Sequence, residues 1–409
     1  MNIKFISELK SPEESDFEIV ERKGRGHPDT LADQLAELLS RTYSELTLRK
    51  TGVVLRHQFD KLSLMGGKCE VRFGGGNFRS PIRLLINGRI TPRFGDENIE
   101  FRDLFISTAT KFLEKELRNF SFATDCRVMW ETTSNATRGM ITNDIKGEGA
   151  INHRFSPRTL ADLPEATKPI SNDTAVGCSW APFSSLEKLI LEIENELTSD
   201  STWEKYPWMG ADVKIMGHRI GDEANMTVSI PQVSTFVNSS DEYLRNLEII
   251  KAIIHKHAEE YPKFSKFYLT LNPGDNTDKE MLYLRYTGSC IESGDEGQVS
   301  RGNRLGGVIS SRRPFSVEGL SGKNPSYHAG KVYSAAAWDI ANKIYNELGI
   351  HSEIYIASQI DRPLNDPWTI VVNSISNVDQ EAIEKIIDDI INNLNQVTLN
   401  MINGQYPLV

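Results

Sequence analysis

Helix-like and strand-like patterns alternate along the whole chain, in a rhythm of a few strands and then a helix that occurs about three times. No repeat of fixed period and no low-complexity segment accompanies it. The rhythm predicts an α+β protein whose sheets carry helices on one face. The predicted helices are Thr30–Lys50, Phe101–Leu117, Ser184–Ser199, Tyr243–His257, Val332–Leu348 and Glu381–Val397. The predicted strands are Gly52–Arg56, Cys69–Phe73, Ile82–Ile86, Cys126–Trp130, Asp212–Met216, Met226–Ile230, Phe267–Leu271, Leu282–Tyr286, Glu353–Ala357 and Thr369–Val372.

Two of these helices carry start signals. Ser184 and Glu187 have the spacing of a capping box ahead of an amphipathic stretch. At the first helix Pro28 cannot continue a helix upstream, so Asp29 or Thr30 is the predicted cap.

The length of 409 residues suggests two or three domains. We predict an N-terminal α+β unit over 1–150, a central unit over 151–275 and a C-terminal unit over 276–409, with discontinuous boundaries. The segment Ala150–Ser171 contains prolines and little apolar pattern, so it is the predicted linker or mobile loop.

Composition limits the cellular setting and the partners. No window approaches the roughly eighteen apolar residues of a membrane span, and the first residues lack the apolar core of a signal peptide. The four cysteines are widely spaced without a CxxC pair, which fits a reducing cytoplasm and excludes a cysteine zinc motif. A pI near 5.5 argues against nucleic acid as the main partner.

The segment Gly288–Lys331 reverses the charge of the chain. From Arg301 to Lys331 it holds six basic residues and one acid, a net +5, in a chain whose total is −10. Glycines let backbone amides approach a ligand, Arg and Lys bind phosphate, and a nearby carboxylate such as Asp295 can hold Mg²⁺. The segment predicts a polyphosphate cradle with a metal, and the alternative is a charged, solvated surface loop.

Gly24–Asp29 reads GRGHPD and opens the first helix, whose N-terminus favours anions. Asp29 is a candidate metal ligand and His27 a candidate donor to a phosphate or ring oxygen. The alternative is that Asp29 only caps the helix. The motif is not the GxGxxG fingerprint of dinucleotide-binding folds.

Three further charged sites can each be interpreted either as a ligand contact or as an ordinary surface feature. Asp212 and Lys214 share one face of a predicted strand, where they suit a zwitterion or a phosphate, or form a surface pair. Asp173 lies in a turn sequence, and Asp60-Lys61 follows a short strand with the same ambiguity. Lys323 follows a glycine, but the Walker A spacing is absent. No HExxH or GxSxG motif occurs, so the residues favour electrostatic positioning of a polyphosphate over covalent catalysis.

Several motifs occur together in a fixed order: GRGHPDT, HQFDK, NDTAVG with APFSSLE, DVKIMG, GDEGQVSRGNR, RRPFSVEGLSGKNP, HAGKVY and SQIDRPLNDP. On these motifs the chain resembles archaeal-type S-adenosylmethionine synthetase over roughly residues 20 to 370. The resemblance implies three similar α+β units in a pseudo-threefold arrangement. It also implies a homodimer whose active sites lie at the subunit interface.

The resemblance implies a reaction in which the sulfur of L-methionine attacks C5′ of ATP and expels triphosphate, which is then hydrolysed to phosphate and pyrophosphate. Mg²⁺, with two ions per site, and K⁺ are the implied cofactors. Such a displacement needs alignment and a stabilised leaving group rather than a covalent nucleophile.

The resemblance also assigns roles to single residues. His27, Lys214, Arg301 and Lys323 would act on the triphosphate, and Asp29 and Asp295 would hold Mg²⁺, with Asp295 alternatively binding the methionine amino group. Substrate-binding positions would be Asp60, Lys61, Gly147, Gly149, Asp173, Asp212, Asp295, Arg304 and Lys331.

Departures from the family pattern around Cys290, Ser300 and Tyr327 leave two alternatives open. One is a divergent paralogue with an altered methionine-analogue or nucleotide preference. The other is a catalytically silent regulatory subunit, against which the retention of so many charged site residues counts.

Overall fold

The computed structural model describes residues 1–134, 152–376 and 378–408. Its helices are α1 (Pro28–Thr51), α2 (Arg102–Glu116), α3 (Phe122–Asp125), α4 (Pro164–Thr167), α5 (Ser185–Leu197), α6 (Asp200–Lys205), α7 (Ser240–Glu259), α8 (Ala329–Leu348), α9 (Gln380–Ile391) and α10 (Leu394–Ile402). Its strands are β1 (Ile3–Ile6), β2 (Phe17–Lys23), β3 (His57–Gln58), β4 (Ser63–Met65), β5 (Lys68–Arg72), β6 (Gly75–Ser80), β7 (Ile82–Ile90), β8 (Arg93–Phe94), β9 (Glu97–Asn98), β10 (Cys126–Thr133), β11 (Val176–Ala181), β12 (Lys214–Ile220), β13 (Glu223–Ser229), β14 (Gln232–Val233), β15 (Lys266–Leu271), β16 (Leu284–Arg285), β17 (Gly297–Gln298), β18 (Ile309–Ser310), β19 (Ser352–Ala357) and β20 (Thr369–Ser374).

The first layer pair joins α1 and α2 to a sheet of order β10-β7-β4-β17, with β3 paired to β7. Strands β10 and β7 run parallel, and β4 is antiparallel to β7. Helix and sheet enclose a core that contains Leu35, Tyr43, Leu84 and Phe105. Each such side chain stabilises the fold by about 1.5–3 kcal/mol when fully buried. This core fixes the start of α1, which carries the GRGHPD motif.

A second sheet, of order β15-β13-β12-β2-β18, packs against α5 and α7. Strand β12 alternates between exposed and buried residues throughout its length. Such alternation is expected when one face of a sheet is covered and the other is not. The face of this sheet opposite the helices is therefore left uncovered by the residues that the structure describes.

A third sheet, of order β1-β20-β19-β11, packs against α8, with α9 and α10 completing the core. Helix α8 approaches β11 so closely that a Cβ at Gly177 would lie 2.3 Å from the backbone nitrogen of Ser334. Glycine is required at that position because no side chain fits between the two backbones.

Chain segments interleave among the sheets. The third sheet takes β1 from near the start of the chain, β11 from the middle and β19 and β20 from the end, while β17 joins the sheet built mainly from residues before 134. Each sheet and its helices thus draw on more than one of the ranges 1–150, 151–275 and 276–409, which stay a prediction about domain organisation. No helix in the described part of the chain is long and apolar enough to cross a membrane.

Helix and sheet content agrees with the predicted α+β class, but three predicted elements are wrong. Gly52 ends α1 in a left-handed conformation (φ 76°), so Gly52–Arg56 is not a strand. Only Leu284–Arg285 forms a strand within the predicted Leu282–Tyr286. The predicted last helix is two helices, α9 and α10, because the chain breaks at Asn392 and Asn393. The patterns also missed β1, β2 and β11.

Candidate active site

The N-terminus of α1 is the first of two charged regions. His27 is the N-cap, and its Nδ1 accepts the backbone N–H of Asp29 at 3.2 Å. The prediction that Asp29 or Thr30 caps the helix is wrong, because Pro28 is the first helical residue. Proline suits that position, where its missing N–H would have had no helical partner.

Asp29 connects the helix to the strand before it and to the charged segment near residue 300. Its Oδ2 accepts the Lys23 ammonium at 2.7 Å, and its Oδ1 accepts the backbone N–H of Gln298 at 3.0 Å. Lys23 also donates to the carbonyl of Arg301 at 2.6 Å. The buried carboxylate is thus fixed by one partner six residues earlier in the chain and by another 269 residues later.

Asp33 and Glu37 continue this contact one and two turns further along α1. Asp33 accepts the backbone N–H groups of Ser300 at 2.7 Å and Gly302 at 3.2 Å, and Glu37 accepts that of Gly322 at 3.0 Å. Residues four apart lie on one face of a helix. We call the three carboxylates of this face, at positions 29, 33 and 37, the carboxylate ladder.

Sequence reasoning missed Asp33 and Glu37. The pKa of Asp33 is raised to about 7, chiefly by burial and also by the neighbouring Asp29 charge, against the effect of its amide hydrogen bonds. Their four-residue spacing from Asp29 was the available signal, although it is also the spacing of a solvated helix face.

His27 lies among charges of both signs. Burial, followed by the Lys23 charge, lowers the pKa of His27 to about 4; Lys214 lowers it as well, while Asp29 and Asp295 oppose the shift. The imidazole is therefore neutral near pH 7. Because Nδ1 accepts a hydrogen bond, the proton resides on Nε2, which is left as a donor.

The remaining predicted residues of this region differ in exposure. Lys214 is exposed and forms an ion pair with Glu21 at 3.2 Å. Asp295 and the side chain of Arg301 are also exposed, and Asp295 accepts the backbone N–H of its neighbour Glu296 at 2.9 Å. All three are thus positioned to meet a ligand from solvent.

Asp212 does not share a strand face with Lys214, contrary to the prediction. Strand β12 begins only at Lys214, and the buried Asp212 carboxylate accepts the backbone N–H of Cys290 at 2.8 Å. Burial raises the pKa of Asp212 to about 7. Asp212 therefore supports the loop that leads to Asp295 and does not reach solvent.

The second region is a cavity of about 1030 Å³. Its wall contains the predicted residues Asp60, Lys61, Asp173 and Lys323. Gln298 also lines it, and because the backbone of Gln298 bonds to Asp29, the cavity adjoins the N-terminus of α1.

Charges in the described wall of this cavity balance. Lys323 pairs with Glu318 and lies 4.0 Å from Asp60, which also pairs with Lys61 at 2.6 Å. The side chain of the exposed Asp173 accepts the backbone N–H of Thr174 at 2.7 Å. The basic side chains are Arg56, Lys61, Arg89, Arg154 and Lys323, and the acidic ones are Asp60, Glu165, Asp173, Glu318 and Asp361.

Lys331 and Arg304 do not line this cavity, and each makes structural contacts, so their contact with the substrate stays a prediction. Lys331 is fully buried, pairs with Glu37 at 2.6 Å and donates to the carbonyl of Lys323 at 2.8 Å. Arg304 donates to the carbonyl of Ser300 at 3.1 Å and lies over the ring of Phe315. The predicted positions Gly147 and Gly149 lie outside the described residues.

The sequence of this chain matches those of a known protein family over nearly its whole length. The profile of the S-adenosylmethionine synthetase (AdoMet synthetase) family matches residues 2–405. The chain belongs to the S-adenosylmethionine synthetase family. The resemblance seen in the motifs is thus confirmed and extends over nearly the whole chain.

Relatives from this family match over nearly their full length. A probable S-adenosylmethionine synthase of Aquifex aeolicus (strain VF5) is 33% identical over 408 residues, which cover 97% of this chain and 96% of that protein. The S-adenosylmethionine synthase of Hyperthermus butylicus is 33% identical over 415 residues, covering 98% and 97%. That of Thermoplasma acidophilum is 32% identical over 418 residues, covering 100% and 99%.

The synthetase family generally uses Mg²⁺ and K⁺. Within residues 1–134, 152–376 and 378–408, no group of three or more His, Cys, Asp or Glu side chains could hold a metal ion. Two carboxylates, Asp29 and Asp295, nevertheless lie beside His27. This set fits Mg²⁺, which usually takes one or two carboxylates from the protein and its other ligands from phosphates and water.

Proposed function

We propose that this chain transfers the adenosyl group of ATP to the sulfur of L-methionine and then hydrolyses the triphosphate to phosphate and pyrophosphate. The observation that carries the proposal is the family match over residues 2–405. The convergence of His27, Asp29, Lys214 and Asp295 on one helix N-terminus supports it.

In the proposed displacement, a sulfur lone pair forms the new bond to C5′ while the C5′–O bond breaks. The oxygen keeps that electron pair, so negative charge grows on the triphosphate and positive charge on sulfur. Lys214, Arg301 and Lys323 would stabilise the growing negative charge. His27 would donate its Nε2–H to a phosphate or ring oxygen, since its imidazole is neutral.

Asp29 and Asp295 would hold Mg²⁺, and K⁺ is the second proposed ion. Bound Mg²⁺ would neutralise phosphate charge as the leaving group departs. Lys23 now pairs with Asp29, so its ammonium would exchange that carboxylate for a phosphate oxygen.

A homodimer with active sites at its subunit interface is also proposed. The uncovered face of the β2–β12 sheet exposes Phe17, Ile19, Met216, Ile220 and Tyr268. Lys23 and Lys214 are cross-strand partners at the end of this same face, beside His27. A second copy that covers the apolar part would therefore approach the charged part as well.

The family's pseudo-threefold arrangement is our interpretation of the three helix-backed sheets. It would give each copy three comparable sheets for contact with its partner. Sedimentation analysis tests the dimer, and Ile220→Arg is expected to yield monomers with little activity. A monomeric wild-type protein with full activity would contradict the interface.

The activity itself is tested by incubating purified protein with ATP, L-methionine, Mg²⁺ and K⁺ and identifying products by mass. S-adenosylmethionine, phosphate and pyrophosphate are expected. Intact ATP with no adenosylated product would refute the proposal. Activity of the isolated chain would also exclude a silent regulatory subunit, and a panel of methionine analogues would reveal an altered preference.

A further inference from the structure

Three buried polar atoms in the wall of the cavity lack a hydrogen-bond partner among the described residues. They are Nδ1 of His328, the hydroxyl of Tyr327 and Oε2 of Glu165. The side chains of Tyr327 and Glu165 are at least nine-tenths buried, with exposures of 1% and 7%. A buried polar group without a partner typically costs about 1–3 kcal/mol. Such atoms therefore need an explanation, and a ligand in the cavity supplies one.

Arg56 connects the two side chains. Its Nε donates to Oε1 of Glu165, which fixes the carboxylate and leaves Oε2 unbonded. Its guanidinium carbon lies 4.7 Å from the centre of the Tyr327 ring. The three side chains thus form one packed unit, named the Arg56–Glu165–Tyr327 cluster, that contributes a carboxylate oxygen, a phenol and a guanidinium to the same wall.

The protonation states of Tyr327 and of the neighbouring His328 determine which ligand groups the cluster can bind. Burial raises the pKa of Tyr327 to about 12, so the phenol keeps its proton near neutral pH. His328, also in the wall, has its pKa lowered well below the usual value by burial, so its imidazole is neutral. A carboxylate acceptor and a guanidinium side by side match a ligand that carries an ammonium and a carboxylate on the same carbon atom.

We propose that the Arg56–Glu165–Tyr327 cluster binds the α-amino acid head group of the thioether substrate, with Glu165 and Tyr327 on the ammonium and Arg56 on the carboxylate. This inference rests on the proposed function and adds a specificity site to it. A zwitterion adds no net charge to a wall whose five basic and five acidic side chains already balance.

A triphosphate fits this cluster less well. Its several negative charges would face the Glu165 carboxylate, and like charges at short range are repulsive. The exposed Lys214 and Arg301, which are proposed to meet the triphosphate, lie at the other region. The Arg56–Glu165–Tyr327 cluster and the α1 N-terminus thus differ in the ligand charge that they accommodate.

Steady-state kinetics of Glu165→Gln tests the ammonium contact. A hydrogen bond to a charged group is worth enough that its loss should raise the KM for methionine about ten- to hundredfold. The KM for ATP and kcat should remain close to those of the wild type. An unchanged KM for methionine would overturn the proposal.

Methionine analogues locate the effect on the ligand. 4-(Methylthio)butanoate lacks the amino group, so its inhibition constant should be the same for the wild type and Glu165→Gln. An equal weakening of this analogue and of methionine would contradict an ammonium contact. Tighter inhibition of the variant by tripolyphosphate, with methionine unaffected, would instead indicate a phosphate subsite and overturn the proposal.

Tyr327→Phe has a matched control in Tyr333→Phe. Both tyrosines are buried, but the Tyr333 hydroxyl donates to the carbonyl of Leu364 at 2.8 Å. Tyr327→Phe should keep or raise the melting temperature while raising the KM for methionine about two- to tenfold. Tyr333→Phe should lower the melting temperature and leave that KM unchanged. The reverse result would assign Tyr327 a purely structural role.

Failure of this inference and failure of the proposed function remain distinguishable. Titration calorimetry of L-methionine into the full-length protein, with the same variants, measures binding without turnover. Methionine binding that depends on Glu165, in a protein that forms no S-adenosylmethionine, would keep the inference and refute the function. Turnover with an unaltered methionine KM in both Glu165→Gln and Tyr327→Phe would do the opposite.

Discussion

The α1 N-terminus and the cavity beside it are both charged, but their internal bonding differs. At the α1 N-terminus the carboxylate of Asp29 accepts one backbone amide and one ammonium, and that of Asp33 accepts two amides. In the cavity wall the hydroxyl of Tyr327 and one oxygen of Glu165 lack partners among the described residues. In the first region the carboxylates of Asp29 and Asp33 already have partners within the protein, whereas in the second region those two polar atoms lack one in the described part of the chain.

The largest expected effect comes from breaking the buried ion pair between Lys331 and Glu37. Lys331→Met leaves the buried Glu37 charge without its partner, which typically costs about 3–5 kcal/mol of the free energy of unfolding. Denaturant unfolding measures this loss. The double variant Glu37→Leu/Lys331→Met should recover much of the stability, and equal stability of the single and double variants would contradict a buried ion pair.

The next effect concerns catalysis. Arg301→Ala or Lys323→Ala should lower kcat about 10²–10³-fold, because each removes a cation from the charge that develops on the triphosphate. Lys188→Ala, at an exposed position of α5, is the control and should leave kcat unchanged. Near wild-type rates in both variants would show that the basic segment is not the triphosphate site.

The next effect is the pH dependence of stability that is caused by Asp33, the middle residue of the carboxylate ladder. The folded-state pKa of Asp33, about 7, lies above the ordinary value of 3.8, so the folded state binds the extra proton between these values. Its contribution to stability is therefore present below about pH 4 and lost as pH rises to about 7.

Asp33→Asn should remove this loss. Between pH 4 and 7 the variant should lose less stability than the wild type, by about 4 kcal/mol, since the pKa rises from 3.8 to about 7 and each pKa unit corresponds to about 1.4 kcal/mol. Urea unfolding at several pH values gives both curves. Parallel curves for the two proteins would mean that Asp33 titrates normally in the folded state.

The smallest effect belongs to His27. Its folded-state pKa of about 4 lies below the ordinary 6.5, so its contribution to stability is present above pH 6.5 and lost as pH falls toward 4. His27→Asn should change that dependence by about 3 kcal/mol, since the pKa falls from 6.5 to about 4 and each pKa unit corresponds to about 1.4 kcal/mol. An NMR titration of the His27 ring should show no protonation near pH 6, and a midpoint near 6.5 would contradict the burial of His27 beside Lys23 and Lys214.

Sequence patterns predicted the first region better than the second. The long helices α1, α5 and α8 follow from apolar periodicity, and the GRGHPD motif predicted the charged start of α1. The role of Asp33 could not be predicted, because its partner Ser300 lies 267 residues away and a helical carboxylate alone resembles a solvated one.

The cavity wall escaped prediction for a related reason. Glu165 belongs to the segment predicted as a linker, and Tyr327 was identified only as a departure from the family pattern. Their meeting through Arg56 depends on tertiary packing, which no local pattern contains. The burial of Lys331 and Asp212 was not predicted, because a sequence shows charge but not burial.

The carboxylate ladder sets the conditions under which the basic segment can be re-engineered. Asp29, Asp33 and Glu37 fasten the backbone at Gln298, Ser300, Gly302 and Gly322. Between positions 303 and 321 the chain is held separately, by the pairing of β18 with β2 and by the buried ion pair of Arg313 with Glu187, so a change of loop length there would have to spare both. A one-residue insertion in α1 between positions 29 and 37 would rotate the later rungs by about 100° and unfasten part of the segment. The spacing of the three carboxylates on α1 thus fixes the spacing of the loop amides that they bind. A transfer of the basic segment into another protein would therefore have to include α1 as well.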